Sequence, residues 1–172
     1  MKKLFTVLSF GLLLSFTSAS NVGDSSTACY FDADNLQKIL EQTNCVALRV
    51  YPIIHPYTKN TSALIVGINK DGREIMDAGY LAFSGIEDGK ESLDLLSKSS
   101  AKQAYISYTK ANAAFVTEFQ KQKINNLLRS ADGITFNLEG SPSSNFSMQG
   151  YSKDEDFMLL AAPLLGNPCP LS

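Results

Sequence analysis

The chain has one histidine, His55, and three cysteines, Cys29, Cys45 and Cys169, with no CxxC pair among them. A structural zinc site needs four Cys or His ligands, usually closely paired in sequence, so none is expected, and no other cofactor is called for. A histidine-dependent serine or cysteine hydrolase would have to use His55. The Ala82-Phe83-Ser84-Gly85 stretch lacks the first glycine of a GxSxG nucleophile elbow. After the first twenty residues no apolar run nears the roughly 20 residues that a membrane-spanning helix needs. There is no basic excess either. Of 15 basic and 17 acidic residues, Lys2 and Lys3 fall in the first nineteen, which leaves 13 against 17. Nucleic acid, which calls for a clustered basic face, is therefore not an expected partner. Internal repeats and low-complexity tracts are also missing.

The first twenty residues carry the clearest signal. Lys2 and Lys3 precede an apolar run from Leu4 to Phe16, and Thr17-Ser18-Ala19 supplies small residues for cleavage. That is the layout of a secretory signal peptide, residues 1–19, and it predicts an exported mature chain in the periplasm, at the cell surface or outside the cell. The lysine-led style reads as bacterial. Residues 20–32 read as a flexible leader rich in Ser, Asn, Gly and Thr, and residues 33–172 as one domain. A mature chain of 153 residues buries roughly 70% of its unfolded surface, enough for a real core.

Export brings oxidising conditions, so one disulfide with one leftover thiol is the plain expectation. Cys29 and Cys45 flank a predicted helix over 34–43, which is about 15 Å long, whereas bridged Cα atoms lie near 5.5 Å apart. That pairing is awkward. A bridge from Cys169 to Cys45 or Cys29 would pin the Pro-Cys-Pro tail. A lipid anchor at Cys29 fits poorly, because Ser26-Thr27-Ala28 lacks an aliphatic residue and lies far beyond the apolar run.

Further along, Asp34 suits a helix cap with Gln37 as its reciprocal partner, and Asn44 suits the stop. Residues 45–54 and 62–69 read as strands, Asn69 to Gly72 as a turn, and Arg73 to Met76 as a short returning strand. Leu93, Leu95 and Leu96 suggest a short helix. Residues 101–129 read as one long helix with a stripe of Ala104, Tyr108, Ala111, Phe115 and Phe119. Ile124, Leu127 and Leu128 fall nearly opposite that stripe, which predicts a break near 120–123 or burial on both sides. Strands follow at 134–139, at Phe146–Met148 and at Phe157–Ala162. The expected fold class is α+β: an antiparallel sheet packed by one long helix, whole or broken, and one or two shorter helices. Phe115 is expected in its core.

No catalytic, cofactor-binding or metal-ligating residue stands out. His55, between a strand end and Pro56 with no acid nearby in sequence, reads as an exposed loop side chain. Asn69-Lys70-Asp71-Gly72 fails the calcium-loop register, since Gly67 and Ala78 would occupy positions that need carboxylates. The acid run Asp154-Glu155-Asp156 reads as solvated loop. Tyr51, Tyr57, Tyr105 and Tyr108 could line a sugar or peptide groove, although tyrosines at such spacing more often pack.

The run from Leu36 through Cys45-Val-Ala-Leu-Arg-Val-Tyr51, followed by Ser62 to Gly67 and Asp71-Gly72, resembles a set of small exported proteins of Bacteroidetes-type bacteria. In these a short helix enters a C-V-x-x-R-x-Y strand, then an apolar V-G strand closed by a D-G turn. The Asn167-Pro-Cys169-Pro170 tail is similar to their Cys-Pro ends. The resemblance covers about a quarter of the chain and implies no activity or site residue. It favours a Cys45–Cys169 bridge and a bacterial, exported setting. Two functional classes are thus expected: a non-enzymatic binding or interaction module for a protein, peptide or glycan, or a hydrolase of extracellular glycan or peptide.

Overall fold

A computed structural model describes residues 27–113, 115–138, 145–154, 158–160 and 163–169, with the backbone alone for 158, 168 and 169. The expected signal peptide, residues 20–26 of the expected leader, Glu155, Asp156, Phe157 and the pair 161–162 lie outside the described residues.

Two antiparallel sheets dominate. The first leader residues described form a strand, β1 (Thr27–Asp32), paired along its length with β8 (Gly133–Leu138). In the second part of the leader the expectation of flexibility is thus overturned. Helix α1 (Ala33–Leu40) follows at once. Its cap is Asp32, not Asp34: Asp32 Oδ1 accepts from the Asn35 backbone N–H at 2.9 Å. Asn44 takes a positive φ of 66° and turns the chain into β2 (Cys45–Ile54). Next come β3 (Thr61–Asn69), β4 (Glu74–Ile75), β5 (Tyr80–Glu87) and β6 (Lys90–Leu96). Helix α2 (Lys98–Thr109) leads to β7 (Val116–Gln120), helix α3 (Lys121–Leu128) and β8. The chain then runs through β9 (Phe146–Ser152), β10 (Met158–Leu159), β11 (Leu164–Leu165) and β12 (Asn167–Cys169). One sheet has the order β1-β8-β9, with β10 and β11 both on β9. The other runs β12-β7-β2-β3-β5-β6, with β4 also on β3.

The α+β expectation is therefore corrected: the fold is predominantly β, with three short helices among the described residues and no long one. The stripe over 101–129 is split. Thr109 and Asn112 side chains bond the carbonyls of Ile106 and Tyr108, closing α2. The β-branched pair Val116-Thr117 then enters a strand opposite Val50 to Ala47 of β2. Phe119 is buried as expected, but the change of period leaves Phe115 39% exposed, outside the core. The Leu93–Leu96 helix is likewise replaced by β6, which pairs with β5 around Asp88-Gly89, where both residues take positive φ. The strands expected near 45–54 and 134–139 in one sheet are β2 and β8, which belong to different ones.

Alternation along the central strands sorts side chains into two cores. Leu48, Val50, Ala63, Ile65 and Phe119 face the β1-β8-β9 sheet and meet Phe31, Ile134, Phe136 and Met148. Leu36, Ile39, Leu40 and Ile124 from α1 and α3 join this inter-sheet cluster. Ile124 thus shares a cluster with Tyr108 and Phe119 rather than facing a different partner. On the other side of the central strands, Ala47, Ile53, Leu64, Val66, Ile68, Tyr80 and Ala82 meet Ala101 and Ala104 of α2. The result is sheet upon sheet with α2 as a third layer. Burial on both faces explains why β3 is apolar almost throughout.

Candidate functional site

Ala101 and Ala104 are the residues that seat α2 on the second core, and their small side chains leave room beside them. A cavity of about 200 Å³ opens there, lined by Tyr51, Leu64, Glu74, Tyr80, Lys98, Ala101, Lys102 and Tyr105. Strand periodicity places its polar groups. Arg49 and Tyr51 are two apart on β2 and so share a face. Arg49 sits opposite Glu118 of β7 and binds it through Nε at 2.8 Å and Nη2 at 2.5 Å. Its Nη2 also donates to the Gly72 carbonyl, at the turn that carries the chain into β4. Tyr51 Oη donates to Glu74 Oε1 at 2.5 Å, and Tyr80 Oη donates to Glu74 Oε2 at 2.6 Å. A polar chain Glu118–Arg49–Tyr51–Glu74–Tyr80 therefore crosses the sheet beneath α2.

The protonation states follow from the surroundings. Burial, with Glu74 as acceptor, pushes both Tyr51 and Tyr80 well above the ordinary phenol range, so both remain neutral donors. Partial burial opposes the charge on Arg49, but its bonds to Glu118 and Tyr51 outweigh it and hold the guanidinium protonated. Tyr105 of α2 stands edge-on to Tyr51, with ring centroids 5.4 Å apart and planes at 76°. Its hydroxyl is buried and has no hydrogen-bond partner among the described residues. Burial raises its pKa too, so it also stays a neutral phenol.

His55 is the second place of chemical interest, and the exposed-loop expectation fails there: the residue is 0% exposed. Its Nδ1 accepts from the backbone N–H groups of Thr58 at 3.3 Å and Tyr57 at 3.4 Å. Its Nε2 lies 3.2 Å from Asp94 Oδ2 of β6, a contact too poorly aligned to count as a full hydrogen bond. Burial lowers its pKa, and Asp94 partly offsets this. An open groove of about 460 Å³ borders it, with Ser99, Ser100 and Ser107 on the α2 side. This is not a Ser-His-Asp triad. One ring nitrogen faces the acid and the other is occupied by backbone, so neither is left to take a proton from a serine.

The cysteines are not brought together. Cys29 and Cys45 are buried free thiols. Cys169, in β12, is opposite Val116, one residue past the Thr117–Val50 pair. Cys45 thus lies about six residues away along the strands, roughly 20 Å at about 3.3 Å per residue. Cys29 Sγ is 3.9 Å from Ser62 Oγ of β3, three strands and roughly 14 Å from β12. Ser62 on β3 and Gly67 beside Cys45 stand five residues apart, so Cys29 and Cys45 are also well separated. Burial pushes the Cys29 thiol up to about 12, leaving it unreactive.

The remaining sequence candidates resolve simply. Ser84 lies within β5 and bonds Ser92, not an elbow. Asn69 Oδ1 accepts from the Asp71 and Arg73 backbone N–H groups, both at 2.9 Å, so the expected turn is closed as an Asx turn. Of the four tyrosines, Tyr51 and Tyr105 line the cavity, Tyr57 is 71% exposed beside His55, and Tyr108 is core. Glu74, Tyr80, Lys98 and Lys102 were not foreseen. No family model, curated protein or solved structure matches this chain.

Proposed function

We propose that this chain is an exported bacterial binding module whose ligand site is the cavity between β2, β3, β4, β5 and α2. The observation that carries the reading is the cavity's aromatic lining around Glu74, in which Tyr105 stands with a buried hydroxyl that has no hydrogen-bond partner among the described residues. A buried unpaired hydroxyl costs about 1–3 kcal/mol, which a ligand hydrogen bond would relieve. Around it stand the features of small-molecule sites: aromatic and aliphatic walls with a few convergent polar groups. The volume, below the about 300 Å³ at which drug-sized sites begin, suits a compact group such as one sugar ring, one side chain or one headgroup.

The hydrolase reading has less support. A glycosidase places two carboxylates about 5–9.5 Å apart across the scissile bond. Glu74 is the one carboxylate among the described lining residues, and both its oxygens are held by tyrosines.

A thermal-shift screen of saccharides, short peptides and small polar solutes tests the site. Hits should stabilise the wild type and lose their effect in Tyr105→Leu, which removes the hydroxyl and ring from a half-buried position. Hits that act equally on that variant would place the site elsewhere. Export is tested apart: mass spectrometry of protein from a secreting host should find Ser20 first, and intact Met1 would contradict it.

A further inference from the structure

The charges around the cavity are sorted by layer. On the sheet side, Arg49 is paired with Glu118, and the tyrosines that hold Glu74 are neutral. Among the described residues the sheet side of the cavity therefore carries a net negative charge, on Glu74, held by two hydroxyls and retaining lone pairs for a further donor. Tyr51 and Tyr105 stand at right angles beside it, and Tyr80 completes an aromatic surround. Aromatic rings close to a carboxylate attract cations through their quadrupoles, most of all weakly hydrated alkylammonium ions. On the helix side the sign reverses. Lys98 and Lys102 are four apart on α2, hence on one face, and both are exposed without an ion pair among the described residues.

A neutral sugar would use Glu74 and Tyr105 as hydrogen-bond partners but would leave both charge layers unanswered. We infer that the cavity takes a small organic ammonium ion that carries an anionic group a few bonds away. The ammonium lies against Glu74 and the three tyrosines, and the anion reaches Lys98 and Lys102. This rests on the reading of the cavity as the ligand site and goes beyond it in naming the ligand's charge.

Calorimetric titration with four probes tests the inference: choline, its uncharged isostere 3,3-dimethylbutan-1-ol, phosphocholine and glucose. Choline should bind at least tenfold more tightly than the isostere, because only the positive charge differs. Phosphocholine should bind more tightly than choline, by about fivefold or more, with the advantage shrinking at high salt. Glu74→Gln should weaken choline at least tenfold. Should that variant fail to fold, the doubly substituted Lys98→Ala, Lys102→Ala protein, altered only at exposed sites, should lose the phosphocholine advantage. Vesicles of phosphatidylcholine separate the sources: cosedimentation assigns a lipid headgroup, and binding of free phosphocholine alone assigns a soluble zwitterion. An isostere as tight as choline, or no binding of either ammonium probe, would overturn the inference. Glucose binding that Tyr105→Leu abolishes would overturn it too while leaving the cavity as the ligand site.

Discussion

Replacing His55 with Ala removes a fully buried imidazole from the junction of β2, the following loop and β6. Two backbone donors, Tyr57 N–H and Thr58 N–H, lose their shared acceptor, and Asp94 loses the ring it faces. Both donor bonds are long, at 3.3–3.4 Å, and the donors are only part-buried, so water can partly replace the acceptor. An unsatisfied buried polar group costs about 1–3 kcal/mol, and the lost packing adds to it. Together these give an expected destabilisation of about 2–3 kcal/mol at pH 7.5, read from urea denaturation midpoints at unchanged slope. The sign of the pH dependence is also fixed. Burial sets the folded pKa of His55 below its ordinary 6.5, so the unfolded chain takes up the proton first. The stability tied to a neutral His55 is thus complete above about pH 6.5. It declines as pH falls from there through the lowered folded pKa. In His55→Gln this part of the decline should vanish. A cost below about 0.5 kcal/mol for His55→Ala, or identical pH profiles for wild type and His55→Gln, would refute the reasoning.

Two further outcomes follow from the same packing. Phe119→Ala should cost about 3–5 kcal/mol, since Phe119 is buried against Phe136 at 5.4 Å between ring centroids, whereas Phe115→Ala should stay within about 0.5 kcal/mol; thermal and urea denaturation of the pair checks the contrast. Cys29 and Cys45 should resist alkylation in the folded protein and react as free thiols once it is unfolded without reductant; peptide mapping that finds either in a disulfide would contradict their placement.

Strands whose two faces are both buried were legible from sequence. Cys45 to Ile54 and Ser62 to Asn69 are runs that no amphipathic helix would carry, and Gly72, with φ of 75°, lies in the turn expected after the second. The signal that could have revealed β5 and β6 was also present: Asp88-Gly89 between two half-apolar runs is a strong hairpin marker. The leucines beside it match helical spacing as well, and only pairing with β5 decides the period. The same ambiguity misled at 115–119, where positions four apart suit one helix face and one strand face alike. The sites were less legible because their partners are remote. His55 was read as exposed since no acid lies near it in sequence, yet Asp94 reaches it from β6. Tyr51 and Tyr105 could be named as groove candidates. Their meeting with Glu74 and Tyr80 depends on β4 and β5 joining the same edge of β3 while α2 crosses above.

The claim that the cavity under α2 is the ligand site is tested most directly by a two-dimensional NMR titration of the labelled protein with a ligand found in the screen. The account predicts that saturable shift changes centre on Tyr51, Leu64, Glu74, Tyr80, Ala101 and Tyr105. Changes centred instead on the groove of Ile54, His55, Lys59 and Gln103, or on the far side of the β1-β8-β9 sheet, would contradict it.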